Sequence, residues 1–413
     1  MKNIKQTQVS NNIHNLALEI FKIYNTVVRT PTNWKEERER LLKLPNSRAT
    51  WNYQVPDSIN DFKGQIIRLK RGFDLAVQKD SMNVYRKLLP DVVDATVQTA
   101  LAKCQILEEL KNAGHKTTLK LRKQFYGLDY DYSNLEDVYS ELFNNQTIKE
   151  TGREFSKETT FADEAAEIIR GLIRNVRNKI EKVISFPPQL RKQILEAFNA
   201  EVVVIDDPSF RMRCITDPKT LTTKVLLNKN LRYSLSYLRI AYLHEFCGHA
   251  LEMAVFDKTL VKNKILPEIY SYAGVSSPNI FDVKSEVFAD LIVAPFVEES
   301  EQKYIQYRRD VWLVCRAMAD YLYNIKGETI KDVMRIYEAV GLKNFAFDEA
   351  VMASIFVDGY QGMYLFANQK IENLQKEFNL SNQDLLILLL YMGKIPIDKF
   401  REFRQKFNIN QLV

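Results

Sequence analysis

Tyr242-Leu243-His244-Glu245-Phe246-Cys247-Gly248-His249-Ala250 is the stretch on which the reading of the chain turns. The protein has four histidines, and two of them flank this glutamate inside an apolar run of helical character. Histidine beside glutamate, with a second histidine about one turn on, places a metal ion and a general base on one surface, as many zinc hydrolases do. The spacing here is one residue longer than usual. On a regular helix, residues four apart lie about 40° apart around the axis, whereas residues five apart lie about 140° apart and cannot grip one ion. A single widened turn realigns them. Such π-bulges occur mostly at functional sites, and Gly248 is the residue type that best tolerates one. The alternative is two buried histidines on a core helix.

A second block, Ser285-Glu286-Val287-Phe288-Ala289-Asp290, follows downstream. Together, His244-Glu245-Phe246-Cys247-Gly248-His249 and Glu286-Val287-Phe288-Ala289-Asp290 resemble the motif pair of the dipeptidyl peptidase III family, zinc metallopeptidases of the gluzincin type. Ser285 stands where that family usually carries another glutamate. The resemblance implies one zinc ion per chain on His244, His249 and Glu286, with Glu245 activating water. Glu268 is the rival third ligand. Spacing adds one clue of its own: Glu286 and Asp290 are four apart and face the same way on a helix. Asp290 can then accept the other ring N–H of a ligating histidine and fix its tautomer.

The 413 residues have room for two or three domains or one large helical body with a cleft. With 46% hydrophobic residues and only 13 Gly and 12 Pro, the chain reads as helix-rich and able to build a core. A net charge of +6, spread along the sequence, gives no argument for nucleic acid. Cys104, Cys214, Cys247 and Cys315 form no paired pattern, which suits a reducing compartment; Cys247 reads as a small packed side chain on the back of the motif helix. The longest apolar run, Leu385 to Met392, is too short to span a bilayer, and Met1 to Asn12 is polar. These features predict a cytoplasmic protein, with export lacking a cleaved leader as the alternative.

Taken in order, helical periodicity runs over Ile13 to Val28, Ile59 to Leu89 and Pro90 to Asn112, with Gly114 as a stop. His14 and His115 read as ordinary surface or capping residues. Phe125 to Thr160, rich in Tyr, Asp and Asn, reads as a connector with a short helix near Leu135 to Phe143. Helix resumes over Phe161 to Ile184, where Arg170, Arg174, Arg177 and Lys182 form a solvated basic face without aromatic platforms. Val202 to Ile205, Arg211 to Thr216 and Thr223 to Leu227 are β-type runs, read as a small antiparallel unit separated by Asp-Pro turns. The motif helix follows over about 233–256, a polar link over Asp257 to Pro278, and the Glu286 helix over about 280–297.

The last third reads as helix over Gln302 to Ile325, Thr329 to Val340, Glu349 to Phe378, Asn382 to Met392 and Ile397 to Phe407. Within it, Gly359-Tyr360-Gln361-Gly362-Met363-Tyr364, Lys370-Ile371-Glu372-Asn373-Leu374 and Gly393-Lys394-Ile395-Pro396-Ile397 are similar to the C-terminal part of a bacterial family of helical zinc peptidases related to carboxypeptidase Taq. The two resemblances together span roughly Val202 to Phe400. Tyr364, with Tyr360 as alternate, is the candidate donor to an oxyanion, and Arg308, Arg309, Arg316 and Lys370 form a pool for holding a peptide terminus.

The expectation is therefore a mainly α, zincin-like body with a small antiparallel β unit beside the metal-binding helix. An N-terminal helical region, 1–200, precedes a zinc-binding catalytic region, 201–413, in one continuous two-lobed body. It is expected to hydrolyse peptide bonds with zinc, without nucleic-acid or membrane partners; the sequence is silent on oligomeric state. A zinc-binding scaffold without turnover and a hydrolase of non-peptide amides are the alternatives.

Overall fold

The computed structural model describes residues 15–17, 19–20, 33–51, 59–77, 89–113, 119–186, 188, 190–206, 211–216, 223–255, 282–356, 358–392 and 395–406. His14, His115, Glu268, the two Asp-Pro turns and the 257–278 link lie outside them. The chain is mainly α; among the described residues helices run from Trp34–Lys43 to Phe400–Lys406, with five short strands. These are β1 (Glu158–Phe161), β2 (Glu201–Ile205), β3 (Met212–Thr216), β4 (Thr223–Asn228) and β5 (Arg232–Ser234). Among the described residues no helix is long and apolar enough to cross a membrane.

The strands form two small sheets. β1 pairs antiparallel with β5, and β4 sits between β2 and β3. Only the β3–β4 pair of the expected antiparallel unit is antiparallel; β2 runs parallel to β4. Burial explains the order. Val225, Leu226 and Leu227 of β4 are all buried, whereas β2 is buried only at Val202 and β3 only at Met212 among their described residues, so the central strand carries the core face and the others flank it. β3 is left at the edge, against the motif helix.

Two segments depart from the sequence reading, each for a local reason. Gly127 to Tyr132 does more than connect: Leu128, Tyr130 and Tyr132 are buried while Asp129 and Asp131 are exposed, the period-two pattern of an extended segment with one face in the core. The helix expected over Glu349 to Phe378 is two helices, Ala346–Ile355 and Tyr360–Glu377. Gly359 breaks it at φ +93°, a left-handed conformation that favours glycine. Asp358 Oδ1 accepts from the Tyr360 N–H and the Tyr126 hydroxyl, and the Tyr130 hydroxyl donates to the Gly359 carbonyl. The aromatic segment thus holds the turn that starts the Tyr360–Glu377 helix.

One main core runs through the described residues from Leu41 to Phe403. At one end of the motif helix the Phe155 ring lies 5.6 Å from Trp312 and 6.2 Å from Tyr237. Behind the motif, Phe246 stacks on Phe198 at 4.3 Å and on Tyr242 at 5.7 Å. The back of the helix is thereby anchored, and its other face is left to the polar residues. Two of the basic residues on the 162–177 helix are used internally, Arg170 donating to the Val202 carbonyl and Arg177 to the Leu195 carbonyl.

Candidate metal centre

The motif helix begins as an α-helix over Leu235–Leu243, capped by Ser234, whose hydroxyl accepts from the Tyr237 N–H. It then widens. His244–Ala250 is a π-helix, a longer and looser turn than the single bulge the spacing called for, and helix continues to Val255. The widening brings the two imidazoles, five positions apart, into one group, with ring centroids 5.0 Å apart and planes at 85°.

Gly248 serves a second purpose that spacing alone does not reveal. A Cβ there would stand 2.3 Å from Ala289 Cβ and 2.6 Å from Ala289 Cα. The motif helix and the Asp282–Leu291 helix therefore touch at a Gly–Ala contact, and that contact sets Glu286 against the histidines. Residues 282 to 290 are all buried, so every polar group on this short helix needs a partner.

Those partners fall into a pattern. His244 Nε2 lies 3.1 Å from Glu286 Oε2, and His249 Nε2 lies 3.7 Å from Glu286 Oε1. The Nδ1 atoms point elsewhere: that of His244 is 2.8 Å from Asp290 Oδ1, that of His249 3.0 Å from Ser285 Oγ. Arg308, which opens a second π-helical stretch over Arg308–Trp312, sets its guanidinium 2.7 Å from the same Asp290 oxygen. Both rings thus have Nδ1 occupied by an outer partner and Nε2 turned to one carboxylate. One ligand atom from each of His244, His249 and Glu286 lies within 4.8 Å of the others.

This donor set fits a zinc ion. Two imidazole nitrogens and a carboxylate oxygen are a three-ligand set that leaves a fourth position for water or substrate, and outer acceptors on Nδ1 are what hold ligating histidines in the right tautomer. Charge points the same way. Glu245, Glu252, Glu286 and Asp290 are four carboxylates, against which Arg308 and Lys284 are two cations, so two negative charges remain. For the chain by itself a proton on His244 offsets one of the two: burial and Arg308 push its pKa down, but Asp290 and Glu286 outweigh them and lift it to about 9. Burial pushes Glu286 up, yet the two histidines prevail and hold it at about 2.

Glu245 is half-buried on the same helix, and its Oε2 accepts from the Cys214 N–H of β3 at 2.7 Å. The edge strand therefore aims the carboxylate. On the other side the Tyr360 hydroxyl lies 3.4 Å from Glu286 Oε1, and the Tyr364 hydroxyl donates to Tyr360 at 2.7 Å. Tyr360 is the nearer of the two candidates, reversing the order expected, and Tyr364 is buried behind it under the Arg316 guanidinium, 4.7 Å from its ring. Burial pushes both phenols well above their ordinary pKa, so both stay protonated donors.

The remaining sequence candidates are used for structure. Arg309 pairs with Glu372, Arg316 with Glu349 while lying over the Tyr364 ring, and Lys370 donates to the Gly127 carbonyl; Arg308 pairs directly with Asp290. Cys247 is fully buried, as a packed residue on the back of the helix. The sequence reading missed Cys214, Ser285 as a histidine partner, and Glu252 with Lys284 behind it. A faint signal existed for Glu252, three residues after His249 and so on the same face of the continuing helix.

Fold and site together define a mainly α protein with a candidate three-ligand metal centre. No family model matches the chain, and no curated protein matches it either. Two solved structures, each described as a "putative lipoprotein", are similar to it. One, from Colwellia psychrerythraea, is 13% identical over 84% of this chain and 69% of its own, with a TM-score of 0.54. The other, of unknown function and from Shewanella oneidensis, is 13% identical over 86% of this chain and 74% of its own, with a TM-score of 0.47.

These findings overturn the family resemblance drawn from the motifs. The chain shares its fold with a protein described as a "putative lipoprotein", and no family model or curated protein supports a peptidase family. Membership of the dipeptidyl peptidase III family or of the carboxypeptidase Taq-related family is therefore withdrawn, with the protease and gluzincin labels that went with it. The physical reason is that a short motif specifies local chemistry, and one local chemistry recurs on unrelated folds.

Proposed function

We propose that the protein binds one zinc ion through His244, His249 and Glu286 and uses it to hydrolyse amide bonds, peptide bonds first. The reading stands apart from any family assignment. The observation that carries it is the convergence of two Nε2 atoms on one carboxylate, with both Nδ1 atoms held by outer partners.

Zinc, when bound, supplies Lewis acidity toward water and toward a carbonyl oxygen. The chain's own residues do the rest. Glu245, with Oε2 held by the Cys214 N–H, keeps Oε1 as the proton acceptor and returns that proton to the leaving amine. Tyr360, kept protonated and supported by Tyr364, donates to the oxyanion that develops on the attacked carbonyl. β3 lies at a sheet edge beside Glu245, where an extended peptide can align by strand addition.

Digestion of a peptide library by zinc-loaded protein tests this. Wild type is expected to cleave, and Glu245→Gln to keep its zinc while turnover falls by about 10²–10⁴-fold. Undiminished cleavage by the variant rejects Glu245 as the base. Zinc-loaded wild type that cleaves neither peptides nor small amides favours a metal-binding scaffold.

We also infer a reducing, cytoplasmic compartment, supported by four free cysteines, three of them buried. The description of the Colwellia psychrerythraea fold relative as a lipoprotein points instead to export or a lipid anchor. Cell fractionation separates the two: recovery in the soluble cytoplasmic fraction is expected, and recovery with membranes overturns the inference.

A further inference from the structure

The two histidines are supported in different ways. His244 meets a carboxylate directly, Asp290, which Arg308 also engages. His249 meets a hydroxyl, and the charge stands one bond further back. Ser285 Oγ lies 3.0 Å from His249 Nδ1 and donates to Glu252 Oε2. The other oxygen of Glu252 accepts from Lys284 Nζ, which also donates to the Leu389 carbonyl at 3.0 Å.

Lys284, Glu252 and Ser285 are 0%, 2% and 5% exposed. An ion pair this deeply buried is weak support for stability, because removing two charges from water costs about as much as their attraction returns. Its position gives it another use. A hydroxyl has one proton; with that proton given to Glu252, Ser285 Oγ faces His249 only as an acceptor. His249 must then carry its proton on Nδ1, leaving the Nε2 lone pair toward Glu286. The lysine and the helix carrying Leu389 keep Glu252 from turning away.

We propose that Ser285, held by the buried Glu252–Lys284 pair, is a positioning residue that fixes the Nδ1–H tautomer of His249 and so sets the affinity of the site for its metal ion. The inference rests on the reading of the centre as a zinc site. It adds that the chain supports one ligand by a charged acceptor and the other by a neutral relay.

Zinc affinity, measured by competition with a chromophoric chelator, tests it in wild type, Ser285→Ala, Ser285→Thr and Glu252→Gln. Ser285→Ala is expected to weaken binding by about 10–100-fold. Ser285→Thr, which keeps the hydroxyl, is expected to restore most of it, and Glu252→Gln to fall between. The thermal midpoint of the metal-free chain is followed in parallel. Unchanged affinity in Ser285→Ala, whatever its midpoint, overturns the proposal and leaves the zinc site standing. A wild type that binds no zinc overturns both. Should Ser285→Ala fail to fold, imidazole nitrogen spectra of the metal-free wild type decide, since the chain has only four histidines. His249 is expected as the Nδ1–H tautomer, and an Nε2–H tautomer overturns the proposal.

Discussion

Two buried charge clusters meet the first turn of the Tyr360–Glu377 helix, and they are built on different terms. In one, Arg122 and Asp320 are both fully buried and 2.6 Å apart. Tyr132 donates to the same Asp320 oxygen at 2.6 Å, and Asn324 to the other at 2.8 Å. The guanidinium meets the carboxylate directly, and a Cβ on Gly362 would already stand 2.9 Å from Asp320 Oδ2, so no further group fits beside that oxygen. In the other, Glu286 is faced by two imidazole Nε2 atoms whose Nδ1 atoms meet partners on the outer side, and carboxylates outnumber cations. The first cluster is closed and serves the fold. The second sets one carboxylate against two imidazoles inside an excess of negative charge, a donor set that suits a cation.

That contrast can be broken by substitution. Asp320→Asn takes the carboxylate charge away from the buried Arg122 guanidinium, and removing one partner of such a pair costs about 3–5 kcal/mol. Chemical denaturation should register that loss while zinc stoichiometry stays at wild type; loss of zinc together with stability would mean the clusters are not independent. Gly248→Ala attacks the open cluster through packing alone. Its Cβ would meet Ala289 at 2.3 Å, so the two helices must separate. A destabilisation of about 1–3 kcal/mol is expected, as for overpacked cores, together with weaker zinc binding. Wild-type affinity in the Gly248→Ala protein would show that helix contact is not what positions Glu286.

The open cluster was more legible in the sequence than the closed one. His244, Glu245, Gly248 and His249 sit in one word, and the extra residue in their spacing already called for a widened turn. Asp290 followed from its four-residue offset from Glu286. The support of His249 was not legible, because Ser285, Glu252 and Lys284 assemble from two helices and no local pattern marks a hydroxyl as a relay. Arg122, Tyr132 and Asp320 come from three distant stretches, and only the alternation of Leu128, Tyr130 and Tyr132 with Asp129 and Asp131 hinted that the segment was buried. The Asp358-Gly359 pair was a turn signal that helical periodicity on both sides concealed. The family resemblance misled for a different reason. Short motifs fix the chemistry of a turn, whereas the fold depends on contacts spread over the whole chain.

The central claim is that the open cluster is a metal site, and metal content tests it most directly. Elemental analysis of purified wild type beside Glu286→Ala should find about one zinc per chain in the first and none in the second. Wild type free of zinc after dialysis against the metal, or a Glu286→Ala protein that holds zinc as firmly as wild type, would contradict the account.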